Sequence, residues 1–164
     1  MSRNRAALLV LLAVLIVPAL LPAAPGDPVG PKERCPVCGM FVARYPNWVS
    51  QIRLADGKLL SFDGMKDLMA YYFHPQEYGG AAAADIREIR VRDYYTLAWL
   101  DAKRAYFVTG SDVHGPMGHE FIPFASEKAA RAFLKDHQGK QVLPFAAITD
   151  ELVQSLRAGQ KMRR

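Results

Sequence analysis

Alternating hydrophobic and polar positions mark the first folded segment of the chain. The stretch WVSQIRLADGKLLSFD alternates on both sides of Asp56-Gly57, a dipeptide typical of a tight turn between antiparallel strands. A helical period follows directly, with five large apolar residues spaced to share one helix face. These residues are Met65, Leu68, Met69, Tyr72 and Phe73. The pattern therefore predicts a β-hairpin followed by a helix, with Asp63 as the helix cap.

The same two patterns predict further strands and helices down the chain. Alternation predicts strands in the segments 85–95, 104–110, 119–125 and 140–146. Ser126 is placed to cap a second helix that ends at Gly139 and has four residues on its inner face. These residues are Ala129, Ala130, Phe133 and Leu134. A last helix is expected from its cap, Thr149, to a stop at Gly159.

The predicted elements occur in the same order in both halves of the chain. Setting Phe62 against Phe124 aligns strand, cap and helix, so each half has the order ββαβ. The repeats would span about 45–95 and 104–147 inside one domain of residues 31–164. We therefore expect an α+β fold with two ββαβ repeats, small mixed or antiparallel sheets and a C-terminal helix.

The first thirty residues differ in pattern from the rest of the chain. Arg3 and Arg5 precede an uncharged stretch over residues 6–26, which is long enough to span a bilayer. Cleavage after Ala24 would be inefficient because Pro25 follows it. The sequence is therefore compatible with either a signal peptide or a retained membrane anchor. A Pro- and Gly-rich linker follows in both cases. Either one places the domain outside the cytoplasm, in the periplasm or an equivalent compartment.

Composition and charge add little to this picture. Hydrophobic residues make up 51% of the chain and charged residues 23%, which is ordinary for a globular protein. The total net charge is +5, and residues 6–164 carry 19 Lys and Arg against 16 Asp and Glu, a net charge of +3. So mild an excess gives no reason to expect a nucleic-acid partner.

Both cysteines of the chain lie in one short segment, CPVCGM. Cys35 and Cys38 have the C-x-x-C spacing, and the thioether of Met40 follows two residues later. A small structural disulfide, a zinc site completed by His114 and His119, a redox-active dithiol and a soft-metal site all fit these residues. Thiolate and thioether donors together select Cu(I) over Zn(II) and hard cations, so we favour the soft-metal site.

A second sulfur donor lies in the loop HGPMGHE. Met117 stands among glycine and proline residues, where a core role is not expected, and His114 and His119 flank it. If the two repeats pack with pseudo-symmetry, this loop meets the CPVCGM loop, and a sulfur from each repeat would reach one ion. A periplasmic thiol–disulfide oxidoreductase would need Cys35 and Cys38 but not Met117, and an ordinary surface methionine would have no role at all.

Three longer segments of the chain share the motifs of a known family. They are CPVCGMFVARYP, SFDGMKDLMAYY and PMGHEFIPFASEKAARAF. Together they resemble the nitrous oxide reductase accessory protein family, NosL, over residues 34–147. The resemblance implies a two-repeat ββαβ fold similar to that of an organomercury lyase domain. It also implies a Cu(I)-binding accessory protein, not an enzyme, that delivers copper to nitrous oxide reductase or a related copper enzyme with an ABC-type membrane complex.

The resemblance also carries copper ligands over to this chain. It implies one Cu(I) ion per chain, held by Cys38 or Cys35, Met40 and Met117, and we add His119 as a further candidate. Members of the family are commonly lipoproteins, whereas neither cysteine here follows the small apolar residues of a lipid-attachment site. We therefore expect the segment 6–26 to provide any attachment to the membrane.

Overall fold

A four-stranded antiparallel sheet forms the first half of the fold in the computed structural model, which describes residues 26–80 and 85–161. Its strands are β1 (Ser50–Leu54), β2 (Leu59–Phe62), β3 (Ile86–Arg92) and β4 (Trp99–Asp101). They lie in the order β2-β1-β3-β4. The predicted turn joins β1 to β2, and Gly57 in this turn has φ +88°, a conformation that glycine adopts without steric penalty. The hairpin prediction is therefore confirmed.

A smaller three-stranded antiparallel sheet forms the second half. Its strands are β5 (Tyr106–Thr109), β6 (Ile122–Phe124) and β7 (Gln141–Pro144). They lie in the order β6-β5-β7, which matches the arrangement β2-β1-β3 of the first half. The predicted α+β class with two small antiparallel sheets is confirmed. The bounds of the domain and of its repeats, at 31–164, 45–95 and 104–147, stay predictions.

Three α-helices accompany the sheets within the described ranges. They are α1 (Met65–Phe73), α2 (Glu127–Asp136) and α3 (Asp150–Lys161). Short 3-10 helices include Val42–Arg44, Pro75–Tyr78, Ala102–Arg104 and Phe145–Ala147. In each half, an α-helix follows the second strand and leads to a third strand that pairs with the first strand of that half.

Two of the predicted helix caps are confirmed. The Ser126 Oγ accepts a hydrogen bond from the Ala129 N–H at 3.2 Å. The Thr149 Oγ1 accepts one from the Leu152 N–H at 3.3 Å. The predicted stop of the last helix is wrong, because α3 continues through Gly159. A glycine inside a helix costs about 1 kcal/mol but does not force the helix to end.

The main core lies between the larger sheet, α1 and α3. Phe62 and Ile89 contribute to it from the sheet and Val153 from α3, and all three are buried. Every residue of α1 from Met65 to Tyr71 is at most 4% exposed, so the first two turns of this helix are enclosed on all sides. A smaller cluster packs α2 on the second sheet. Its members are Val108, Ile122, Phe124, Ala130 and Phe133.

The linker ahead of the domain is fastened to the larger sheet. The Gln51 Nε2 donates to the Asp27 carbonyl oxygen at 2.9 Å, and the Asp27 carboxylate pairs with Arg53. Gly26 lies on the indole ring of Trp99, where a Cβ would overlap the ring. The predicted anchor or signal peptide, apart from its last residue, lies outside the described residues. Within the described ranges, no helix combines the length and apolar content needed to cross a bilayer.

Candidate metal centre

The segment CPVCGM forms a tight loop ahead of the larger sheet, and we call residues 35–40 the cysteine loop. The Cys35 N–H donates to the Met40 carbonyl oxygen at 2.9 Å, and the Gly39 N–H donates to the Cys35 carbonyl oxygen at 2.9 Å. Gly39 has φ +77°, so this reversal of the chain needs glycine. The loop therefore holds Cys35 and Cys38 in one turn of backbone, and both thiols are free.

The two thiols lie beside two carboxyl groups at the start of α1. The Cys38 Sγ is 3.1 Å from the Asp63 Oδ1, and the Cys35 Sγ is 3.6 Å from the Asp67 Oδ2. One potential ligand atom from each of these residues lies within 4.8 Å of all the others. We call the four residues the Cys/Asp cluster. Cys38 is half-buried and the other three are buried, so an ion would enter on the Cys38 side.

Helix geometry explains why the two aspartates face the same loop. Asp63 precedes α1, Asp67 belongs to its first turn, and residues four apart lie on one side of a helix. The predicted capping role of Asp63 is wrong, because Gly64 is the N-cap residue and provides no side-chain cap. The Asp63 carboxyl group instead accepts a hydrogen bond from the Cys38 thiol.

Sequence reasoning missed both aspartates as candidate ligands. Their signal is present in SFDGMKD, where two acidic residues stand four apart at the start of a helix. Asp67 lies outside the apolar face that the helical period predicted, yet it is only 4% exposed. Because an amphipathic pattern predicts one buried face, it cannot show a helix that is enclosed on every side.

Electrostatics in the Cys/Asp cluster favour the protonated forms of Cys38 and Asp67. The hydrogen bond with Cys35 and burial raise the pKa of the Cys38 thiol well above its ordinary value. Burial also raises the pKa of the Asp67 carboxyl group. Four ionised groups this close together would repel one another in a low-dielectric interior. A bound cation removes this repulsion, so the cluster is suited to exchange protons for a metal ion.

The Cys/Asp cluster contains donors of two chemical classes. Thiolates are soft donors that suit both Cu(I) and Zn(II), whereas carboxylates suit Zn(II) but not Cu(I). The geometry therefore supports a metal centre in which sulfur is the main donor. Any further sulfur donor near the cluster would favour copper over zinc.

A second loop reaches α1 from the other half of the fold, and we call residues 114–120 the methionine loop. Gly115 and Gly118 exchange backbone hydrogen bonds of 2.8 and 3.1 Å, which places Met117 at the tip of a tight turn. The Met117 carbonyl oxygen accepts a hydrogen bond from the Lys66 Nζ at 2.6 Å. Lys66 precedes Asp67 in α1, so the cysteine loop and the methionine loop both contact the first turn of this helix.

The remaining predicted ligands lie in or beside these two loops. Met40 closes the cysteine loop through its carbonyl group, and its side chain is half-buried. The rings of His114 and His119 pack edge to face, with their centroids 4.7 Å apart. These imidazoles form a pair of their own and are not members of the Cys/Asp cluster. Metal binding by the predicted ligands stays a prediction for all of them: Cys35, Cys38, Met40, Met117, His114 and His119.

The sequence and the fold both match characterised proteins. The NosL family profile matches residues 27–153. The copper-binding lipoprotein NosL of Stutzerimonas stutzeri is 28% identical over 131 residues, covering 75% of this chain and 65% of that protein. The copper-binding lipoprotein NosL of Achromobacter cycloclastes is 33% identical over 128 residues, covering 71% of this chain and 63% of that protein. The chain thus spans just under two thirds of the length of these relatives.

A solved structure shares the fold. The crystal structure of the copper chaperone NosL from Shewanella denitrificans superposes with a TM-score of 0.67 at 24% identity, covering 77% of this chain and 96% of that one. The family profile covers nearly the whole described domain, including both loops and the Cys/Asp cluster between them. The chain therefore belongs to the NosL family.

Proposed function

We propose that the protein is an extracytoplasmic metallochaperone that binds one Cu(I) ion per chain and passes it to a copper enzyme. The observation that carries this proposal is the Cys/Asp cluster, in which two free thiols lie together with one of them partly open to solvent. Two relatives named as copper-binding proteins support the choice of metal.

Sulfur donors would hold the ion. Cys35 and Cys38 supply thiolates, and Met40 and Met117 are the candidates for a thioether, a donor that Cu(I) accepts and harder cations do not. We assign Asp63 and Asp67 a supporting role, because each accepts a hydrogen bond from one thiol. Partners of this kind orient the ligands of a metal and tune its affinity. An imidazole from His119 is the further candidate.

A site of this kind suits transfer of the metal. Cys38 is half-buried, so a donor from a partner protein can approach the ion on that side and replace one ligand at a time. We propose nitrous oxide reductase or a related copper enzyme as the recipient, with an ABC-type membrane complex taking part in delivery.

The relatives and the leader support an extracytoplasmic compartment. Both curated relatives are named lipoproteins, which is consistent with an extracytoplasmic site at a membrane. We propose the periplasm for this chain, with attachment to the inner membrane through residues 6–26 in place of a lipid.

Two observations weigh against thiol–disulfide oxidoreductase activity. Redox-active dithiols depend on a lowered thiol pKa, whereas the pKa of Cys38 is raised by its hydrogen bond with Cys35 and by burial. The C-x-x-C pair also lies in a turn and not at the start of an α-helix. These observations favour a binding protein over an enzyme.

A zinc centre is the second candidate function. The two carboxyl groups favour it, because Zn(II) accepts sulfur and oxygen ligands in one tetrahedral site. A zinc centre would have no use for the methionine loop, so the two candidates differ in their need for Met117.

Anaerobic metal titration of the reduced protein tests the proposal. Cu(I) affinity would be measured against a chromophoric chelator, and Zn(II) affinity against an indicator dye in parallel. We expect one Cu(I) per chain, bound too tightly for equimolar Zn(II) to displace, and no binding by a variant with both Cys35→Ser and Cys38→Ser. A stoichiometric zinc complex without any preference for copper would contradict the proposal.

A further inference from the structure

We propose that Lys66 and Glu120 are positioning residues that hold the methionine loop on the first turn of α1, so that Met117 reaches an ion at the Cys/Asp cluster. This inference rests on the proposed copper function and adds the residues that assemble the site from both halves of the fold. Two hydrogen bonds join the halves here, and Lys66 donates both of them. Its backbone N–H donates to the Glu120 side chain, and its Nζ donates to the Met117 carbonyl oxygen.

Glu120 links the methionine loop to the backbone of α1. Its Oε1 accepts a hydrogen bond from the Lys66 N–H at 2.5 Å and another from the Phe121 N–H at 2.9 Å. The Lys66 N–H is one of the first four of the helix, which have no partner inside it. A residue 54 positions away therefore does for α1 what Ser126 does locally for α2.

Two glycines, Gly64 and Gly115, leave space for the Glu120 side chain. A Cβ at Gly64 would overlap the Glu120 Oε2. Gly64 has φ −176° and ψ 161°, an extended backbone open to any residue, so glycine is needed there for space alone. On the other side, a Cβ at Gly115 would lie only 3.2 Å from the Glu120 Cγ. Glu120 is 3% exposed, and glycines from both halves pack around it.

Lys66 makes the second link, from α1 to the methionine loop. Its side chain is fully buried, and its Nζ donates to the Met117 carbonyl oxygen at 2.6 Å. Burying an amine costs free energy that only hydrogen bonds and nearby charges can offset. Packing alone would favour an apolar residue at this position, whereas the contact with Met117 gives the lysine a reason to be there.

The two links restrain the place where the Met117 thioether can lie. Met117 is at the tip of a turn closed by Gly115 and Gly118, and its carbonyl group is fixed by Lys66. The neighbouring Asp67 contacts the cysteine loop, so the same helical turn fixes the positions of both loops. Residues that orient a metal ligand change the affinity for the metal by roughly 10–100-fold when they are lost.

Copper binding by Lys66→Leu in the full, reduced chain tests the inference. Leucine removes the amine and keeps an apolar side chain in the buried position, and the exposed Lys103→Leu is the matched control. The readouts are Cu(I) affinity by chelator competition and the number of sulfur neighbours from copper K-edge X-ray absorption. We expect Lys66→Leu to bind about tenfold more weakly with one sulfur neighbour fewer and an unchanged circular dichroism spectrum, and Lys103→Leu to match the wild type.

A double-mutant cycle separates positioning from a general structural effect. In a Met117→Ala background, Lys66→Leu should cause no further loss of Cu(I) affinity. Additive losses, or a full sulfur count in Lys66→Leu, would overturn the inference. If Lys66→Leu does not fold, Glu120→Ala tests the inference by the same readouts, because it removes the hydrogen bond from the Lys66 N–H to the methionine loop. Glu120→Gln keeps the acceptor oxygen, so its copper should retain the full number of sulfur neighbours.

The outcome also distinguishes this inference from the proposed function. A wild-type protein that binds no Cu(I) would refute the copper function itself. If the wild type and Met117→Ala bind Cu(I) equally tightly, the copper function stands, but Met117 is not a ligand. This result would refute the role of Lys66 and Glu120.

Discussion

At the scale of single residues, metal binding at the proposed site would depend on the protons that Cys38 and Asp67 hold. The pKa of the Cys38 thiol is raised by its hydrogen bond with Cys35 and by burial, so the thiol keeps its proton at neutral pH in the metal-free protein. Burial also raises the pKa of the Asp67 carboxyl group. A metal binds the thiolate form, so every ion that enters must displace a thiol proton.

Copper affinity should therefore rise with pH. Below the raised thiol pKa, each proton that Cu(I) displaces changes the apparent affinity by about tenfold per pH unit. A thioether has no proton to lose and adds nothing to this slope. Chelator competition at several pH values between 5 and 8 measures the slope, and an affinity that is flat over this range would mean that the cysteines do not bind the ion.

Replacing Asp63 by asparagine should separate copper binding from zinc binding. A carboxylate can bind Zn(II) directly and is a poor donor for Cu(I), so Asp63→Asn should weaken Zn(II) by at least about tenfold and change Cu(I) by far less. Titration with each metal checks this, with the exposed turn variant Asp56→Asn as control. A larger loss for copper than for zinc would contradict this separation of the two metals.

At the scale of elements, the parts of the fold set by local contacts could be predicted from the sequence. The caps Ser126 and Thr149 and the turn at Gly57 involve neighbours in the chain, and all three are found as expected. The cap of α1 could not be predicted, because the group that binds the Lys66 N–H comes from Glu120 in the other half. β4 was also missed, because its residues Trp99, Leu100 and Asp101 do not alternate between apolar and polar.

The same distinction explains how much of the site could be predicted. Cys35 and Cys38 stand out because cysteine is rare and their spacing is typical of a few kinds of site. Asp63 and Asp67 do not, because acidic residues are common at the start of any helix. Their burial arises only when the second half and α3 enclose α1, which is a property of the whole fold.

Two methionine variants should separate the stability of α1 from copper binding. Met69 is 1% exposed, so Met69→Ala should lower the free energy of unfolding by about 2–4 kcal/mol and leave Cu(I) affinity nearly unchanged. Met117 lies in a half-buried loop, so Met117→Ala should cost less than about 1 kcal/mol of stability while weakening Cu(I). Urea unfolding and chelator competition on both variants check this, and the reverse pattern would contradict it.

The cap of α1 should make stability depend on pH. Burial raises the pKa of Glu120 from 4.5 to about 8, so between these values the native state binds more protons than the unfolded state. The contribution of Glu120 to stability therefore falls as pH rises through this range. Glu120→Gln removes this pH dependence. The free energy of unfolding of the variant, relative to that of the wild type, should therefore rise between pH 5 and 8. Urea unfolding measures both, and parallel curves would show that Glu120 ionises normally.

At the scale of the whole molecule, the proposed copper site draws on both halves, because the Cys/Asp cluster lies in the first half and Met117 in the second. The cysteine loop, the start of α1 and the methionine loop come from three separate parts of the sequence, and both loops contact the first turn of α1 in the folded chain. Copper binding and folding should therefore be coupled, since a ligand that binds only the native state stabilises it.

If residues 6–26 are a retained anchor, the protein should be found in the membrane fraction of the cell. The poor cleavage site motivates this expectation, because Pro25 follows the position where a signal peptidase would cut. Fractionation with an alkaline wash and N-terminal sequencing of the native protein provide the test. A mature N-terminus at Pro25 or Gly26 would instead indicate a soluble periplasmic form.

The contact between Gly26 and Trp99 limits how far the proposed copper site could lie from a retained membrane anchor. Gly26 lies on Trp99, and Cys35 follows only nine residues later. Because each extended residue spans at most about 3.3–3.6 Å, Cys35 lies within about 30 Å of the point where a retained anchor would leave the domain. The ion would then travel in a thin layer next to the bilayer. Delivery would be a two-dimensional search along the membrane, and a recipient enzyme would have to come to that surface to collect its copper.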